Sequence, residues 1–142
     1  MNTYVDTSAW VASLCSEERS DAVGTWLGAQ APQTLTASEW VKTEINSALS
    51  IKCRRGELQA ADLTVLHLSF DEFYVAGSRW ALLESVDFLK ASDLCKNYAS
   101  GLRGGDALHL AVALRLKCSH FLSLDHVLSK NALALGMKLN AL

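Results

Sequence analysis

Short apolar runs alternate with helix-length amphipathic segments along nearly the whole chain, and this alternation constrains the fold more than any other feature. Thr3-Tyr4-Val5, Gln33-Thr34-Leu35-Thr36, Trp80-Ala81-Leu82-Leu83, the stretch HFLSLD ending at Asp125, and Met137 to Leu139 read as strands. Between them, Ser8 is placed to cap a helix carrying Trp10, Val11 and Leu14, and a second helix runs from Glu17 to about Leu27 before Gly28 to Pro32 breaks the pattern. Ser38 precedes a helix with a stripe of Trp40, Val41, Ile45, Ala48, Leu49 and Ile51, closed by Arg54-Arg55-Gly56. Leu58 to Tyr74 has a helical pattern, with a strand also open for its second half; Phe88 to Tyr98 is a further helix. The segment LRGGDALHLAVALRLKC carries a helical stripe of Ala107, Leu110, Ala111 and Leu114, and a last helix with Val127, Leu128, Ala132 and Leu135 stops at Gly136.

Parallel strands require crossover connections, usually helices, so this order predicts an α/β fold with a central parallel sheet covered on both faces. Ligands in such sheets bind beyond the carboxyl ends of the strands, where strand order reverses. Asp6 and Asp125 each follow an apolar strand. An aspartate weakens a strand interior, but at a strand's carboxyl end it stands on that functional rim.

With 142 residues, half of them hydrophobic, the chain is expected to form a single domain over residues 1–142 with a core that needs no covalent staples. Cys15, Cys53, Cys95 and Cys118 show neither C-x-x-C nor zinc-type spacing, so reduced thiols and a cytoplasmic setting are expected. No apolar run approaches the roughly 18 residues of a membrane span, and no signal-peptide pattern opens the chain. A formal charge of −2 supplies no global attraction to nucleic acid, so any such binding must use local cations or bound metal.

Four carboxylates hold comparable positions: Asp6 after the first strand, Glu44 in the helix after the second, Asp106 at a helix start and Asp125 after the HFLSL strand. Singly, such residues are usually helix caps, dipole partners or solvated side chains. Converging on one sheet edge, they would repel one another and take up protons unless a cation were shared. A hard divalent ion, Mg2+ or Mn2+, suits an all-oxygen set and can activate water toward a phosphodiester.

The stretches Y-V-D-T-S-A, T-A-S-E-W-V-K-T-E-I-N-S-A-L, L-R-G-G-D-A-L-H-L-A-V-A-L and F-L-S-L-D resemble, in order and spacing, the PIN-domain ribonucleases, and specifically the VapC-type toxins of toxin–antitoxin systems. Residues about 10 to 30 and 56 to 100 match only in helical character. The resemblance implies a three-layer α/β/α PIN-like domain that cleaves RNA (tRNA, rRNA or mRNA) with Mg2+ or Mn2+, leaving a 5′-phosphate and a 3′-hydroxyl. It implies an acidic quartet of Asp6, Glu44, Asp106 and Asp125, with Asp6 and Asp106 foremost as metal ligands, supported by Ser8 and Ser123. A small antitoxin partner and a homodimer follow from the same resemblance. Glu39 and Glu44 share a helix but point about 140° apart, and Glu44 matches the family spacing. A non-catalytic PIN-like module binding RNA or protein is the alternative.

His109 lies three residues after Asp106 on the same helical face; a buried structural histidine is preferred to a metal pair, since no second His motif accompanies it. Neither a G-x-x-x-x-G-K-[ST] loop, a G-x-G-x-x-G turn nor a G-x-S-x-G elbow occurs, and D-T-S-A lacks the D-x-D of phosphatases. Lys52, Arg54, Arg55, Arg103, Arg115 and Lys117 are read first as dipole partners or solvated stems, and otherwise as RNA-phosphate contacts. The four tryptophans are read as core or interface anchors, with Trp40 or its neighbours expected at an oligomer contact.

Overall fold

A computed structural model describes residues 1–31 and 33–142, with Phe73 and Tyr74 described by backbone alone. Five strands, β1 (Thr3–Val5), β2 (Leu35–Ser38), β3 (Arg79–Ala81), β4 (His120–Leu122) and β5 (Lys138–Leu139), form one sheet in the order β3-β2-β1-β4-β5, and every pairing is parallel. The chain leaves β1 to build β2 and β3 on one side and returns to build β4 and β5 on the other. Strand order therefore reverses at β1, and the crevice expected of such sheets opens at its carboxyl end, where Asp6 begins.

Alternation along β1 and β4 divides the core between the sheet's two faces. Val5 and Leu122 enter one cluster with Trp10, Val23, Val41 and Leu49, from helices α1 (Thr7–Leu14), α2 (Ser20–Gly28) and α3 (Glu39–Arg54). Tyr4 and Phe121, paired in register and stacked with ring centroids 5.3 Å apart, enter the other with Leu110 and Leu128. The helices there are α6 (Gly104–Arg115) and α7 (His126–Ala134). The result is the three-layer α/β/α arrangement. Each large side chain buried this way contributes about 1.5–3 kcal/mol relative to exposure.

Several local expectations shift. Asp6, not Ser8, is the N-cap of α1: its backbone is extended and its carboxylate accepts from the Ala9 N–H. The break expected from Gly28 begins where α2 ends, and Pro32 lies outside the described residues. The helix expected to reach Tyr74 is α4 (Ala60–Ser69), which continues as a π-helical turn over Phe70–Val75; the strand option is not realised. Helix α5 (Ser85–Cys95) starts and ends three residues earlier than expected. Gly56 does close α3 in the left-handed conformation, φ 78°.

Helix α6 is buried on all sides from Ala107 to Ala113, rather than along one stripe. Small residues permit this: Ala91 of α5 meets Ala107 and Ala111 in one cluster, and α5 covers the face that the stripe would leave to water. No helix among the described residues is long and apolar enough to cross a membrane. All four cysteines are free thiols, and burial raises Cys118 to about 11.

Candidate active site

Asp6 emerges from the central strand with only 3 % of its surface exposed. Its Oδ1 accepts from Ser8 Oγ at 2.7 Å and from the Ala9 N–H at 3.3 Å, and its Oδ2 accepts from Ser123 Oγ at 2.9 Å. The two serines are themselves fixed by backbone donors: Leu124 N–H to Ser8 Oγ at 2.9 Å and Asp125 N–H to Ser123 Oγ at 3.0 Å. The loop after β4 is thus tied to the start of α1 through Asp6. Burial raises the Asp6 pKa above its ordinary value, and the nearby His109 ring with the three donors only partly offsets it.

Glu44, Asp106 and Asp125 line one cleft of about 500 Å³, together with Trp40, Gly101, Arg103, Gly105 and Val127. Glu44 reaches it from α3, Asp106 from the first turn of α6, and Asp125 from the N-cap of α7, where it accepts from the Leu128 N–H at 2.9 Å. Asp125 also borders a second concavity with Ser8, Val11, Glu17 and Leu124. Asp6 lies beneath the serines rather than on the cleft wall. Three expected acids therefore share a cleft, and the fourth is linked to it through Ser123, which bonds both Asp6 and the Asp125 backbone.

Their charges are mutually felt. Burial raises the Asp106 pKa first, the Asp125 charge raises it further and Glu44 adds to this, against lowering by His109 and Arg103. Burial pushes Glu44 upward too, but the His109 ring beside it and the hydrogen bonds from His109 and Thr7 outweigh it, leaving this carboxylate below its ordinary value. Among the described residues, no three His, Cys, Asp or Glu side chains stand close enough to enclose a metal ion.

Glu39 takes no part: it pairs with Lys42 at 3.1 Å on the half-exposed side of α3. Lys52 is held by Glu17 at 2.9 Å and Glu57 at 3.4 Å, and Arg115 is engaged by Asp87 and Glu84, so neither is a free cation for an anionic ligand. Arg103, on the cleft wall, is exposed. Trp40 packs against the Ala107 and Leu108 cluster and lines the cleft.

Sequence reasoning missed three contributors. Thr7 donates from Oγ1 to Glu44 Oε1 at 2.7 Å, His109 contacts the same oxygen through Nε2, and Tyr4 contacts His109 Nδ1 at 2.8 Å. His109 is 1 % exposed, so it is buried as expected, yet it is bonded to a cleft acid. The available signal was spacing: Tyr4 shares a strand face with Asp6, and His109 shares a helical face with Asp106.

Fold and cleft together define an α/β/α domain with an acidic pocket at the carboxyl edge of its parallel sheet. The sequence model of the PIN domain matches residues 3–133. Ribonuclease VapC45 of Mycobacterium tuberculosis (strain CDC 1551 / Oshkosh) is 32 % identical over 112 residues, covering 78 % of this chain and 74 % of the relative. Among solved structures, M. tuberculosis VapC20, described as a sarcin-ricin loop cleaving toxin, aligns with TM-score 0.74 at 16 % identity, covering 92 % of this chain and 95 % of that one. A toxin–antitoxin complex from Klebsiella pneumoniae aligns with TM-score 0.56 at 16 % identity, covering 87 % of each chain. This chain belongs to the PIN-domain family, alongside the VapC ribonucleases.

Proposed function

We propose that the chain is a Mg2+- or Mn2+-dependent endoribonuclease toxin that cleaves RNA phosphodiester bonds and is neutralised by a small antitoxin, acting in the cytoplasm as a homodimer. The observation that carries this reading is the cleft shared by Glu44, Asp106 and Asp125, to which the buried Asp6 is linked through Ser123 and the Asp125 backbone. Membership with the VapC ribonucleases supports the activity, and the Klebsiella toxin–antitoxin complex supports the kind of partner.

The donor chemistry suits a hard dication held by one or two carboxylates with water completing its shell, since among the described residues no three such side chains stand close enough to enclose one. The carboxylate side chains are oxygen-only donors, and the part of the Asp106 rise that comes, after burial, from the Asp125 and Glu44 charges is what a cation would relieve. Asp6, Glu44, Asp106 and Asp125 are the residues assigned to hold it, and a bound ion would supply charge neutralisation and water activation at the scissile phosphate. The chain's own groups prepare the pocket. Ser8 and Ser123 hold Asp6 in place through both of its oxygens, Asp125 is locked in orientation by capping α7, and Arg103 offers the cleft a guanidinium for an RNA phosphate.

The test uses purified protein with structured and single-stranded RNAs, with and without Mn2+ or Mg2+. Cutting that requires the ion supports the enzyme; identical RNA profiles with and without protein leave a non-catalytic binding module. Glu44→Gln is expected to lower the rate about a hundredfold or more, the scale of losing one preorganised catalytic group, whereas Glu39→Gln keeps it within about twofold. Equal losses from the two would show that α3 is wrongly read.

Gly105 offers a separate check. A Cβ there would stand 3.3 Å from Glu44 Oε2 and 3.3 Å from Trp40 Nε1. Gly105→Ala should stabilise the unfolded-to-folded balance by about 0.4–1 kcal/mol if its helical backbone alone mattered. The carboxylate end is the part able to yield, so cleavage is expected to fall about tenfold, the scale of a small misplacement of a catalytic group, with melting temperature unchanged or slightly higher. Wild-type cleavage by Gly105→Ala would place Glu44 outside the chemistry.

A further inference from the structure

We propose that His109 is a positioning residue for Glu44, set in one tautomer by Tyr4 and Ser38; the inference rests on the reading of Glu44 as an active-site acid. Four side chains from four elements form one hydrogen-bonded line: Ser38 Oγ to Tyr4 Oη at 2.9 Å, Tyr4 Oη to His109 Nδ1 at 2.8 Å, and His109 Nε2 to Glu44 Oε1. Ser38, Tyr4 and His109 are all buried, so water does not compete along the inner part of the line.

Donor and acceptor chemistry sets the direction. An ionised carboxylate only accepts, so Nε2 must carry a proton toward Glu44. In neutral imidazole Nδ1 is then an acceptor, Tyr4 donates its hydroxyl proton to it, and Ser38 donates to the Tyr4 oxygen. Thr7 donates to the same Glu44 oxygen at 2.7 Å. Both bonds therefore hold Oε1, leaving Oε2 toward Gly105 and the cleft. The Tyr4 ring cannot drift, because it is stacked on Phe121 and meets the His109 ring edge-on at 5.7 Å. The line thus runs from the sheet interior to a single carboxylate oxygen and selects which of the two oxygens faces the pocket.

The experiment combines Mn2+-supported cleavage of single-stranded RNA with melting curves and long-range 15N–1H NMR of the His109 ring. His109→Ala is expected to lower kcat about 10- to 100-fold, the usual cost of removing an orienting partner, with KM for RNA within about twofold. His109→Gln, whose amide can still donate to Glu44, is expected to recover most of that loss. In the wild type the ring spectrum should show a proton on Nε2, and Tyr4→Phe should convert it to mixed tautomers. Wild-type kcat in His109→Ala overturns the proposal, as do equal losses in the Ala and Gln variants or a wild-type ring protonated only on Nδ1. If the wild type cuts no RNA, the functional reading fails by itself, and the ring spectrum still decides whether the line exists.

Discussion

Asp6→Asn is expected to abolish RNA cutting while leaving the fold as stable at neutral pH as the wild type, or more so. The two effects separate because Asp6 is costly to ionise where it sits. Burial raises its folded pKa above its ordinary value despite hydrogen bonds from Ser8, Ser123 and Ala9. A carboxyl group with a raised folded pKa binds more protons in the native than in the unfolded state between the two pKa values. Stability from this group therefore grows as pH falls through the folded value and declines as pH rises above it. At pH 7 the ionised form is a net cost, which asparagine, resembling the neutral acid, removes. The side-chain carbonyl can still accept from Ser8 and Ala9, and the amide can donate to Ser123. Melting of both proteins in steps from pH 7 down to the ordinary carboxylate value checks this: the wild type should gain on the variant as pH falls through the raised folded pKa. Cleavage should drop about a hundredfold or more. A variant that cuts normally would remove Asp6 from the chemistry, and one that is less stable at pH 7 would show that ionised Asp6 is a net stabiliser.

The contrast between Asp6 and Glu44 shows what was legible in the chain and what was not. The parallel sheet and the placement of Asp6 and Asp125 at its carboxyl rim follow from local patterns, namely apolar runs, periodic stripes and a carboxylate after a strand, whereas the strand order that puts the reversal at β1 is set by tertiary pairing. Because a helix turns by about 100° per residue, Glu39 and Glu44 could not both face the cleft, and the resemblance to the family's spacing pointed to Glu44. The protonation preference of each acid was not legible, since it depends on neighbours 37 to 117 positions away, such as Thr7 for Glu44 and Ser123 for Asp6. The same holds for His109, whose local surroundings describe a buried helix face while its partner lies on α3. Capping was misassigned for a related reason: Asp6 and Ser8 are both good N-caps by composition, and the strand's end decides which has extended backbone. The π-helical turn at Phe70–Val75 has no separate sequence signature, because its residues continue a helical pattern.

Arg115→Met is expected to cost about 3 kcal/mol of stability, lowering the melting temperature by about 10 °C, without changing the cleavage rate of the folded protein. Read from sequence, Arg115 is a helix-end cation available to the dipole or to RNA. Folded, it is committed to α5: Nε donates to Asp87 Oδ1 at 2.8 Å and Nη2 to Asp87 Oδ2 at 2.9 Å, with further bonds to Glu84 Oε1 and the Leu82 carbonyl. The pair is asymmetric, because Asp87 is 1 % exposed while the Arg115 side chain is 24 % exposed. Arginine's partial hydration makes the bond itself worth less than its geometry suggests; the large cost comes from leaving the Asp87 charge buried and unpaired. Asp87 also accepts from the Glu84 N–H at 2.8 Å, part of the capping box that starts α5. Asp87→Asn can retain that cap while losing the charge, so the double variant Arg115→Met with Asp87→Asn should recover most of the stability lost by Arg115→Met alone. Urea unfolding of the wild type, the two single variants and the double variant gives the coupling between the residues. Full additivity would mean that Arg115 acts through its aliphatic stem and not through Asp87. Because α5 covers α6, and α6 carries both Asp106 and His109, loosening this clamp should show first as thermal inactivation, with cleavage at low temperature unaffected.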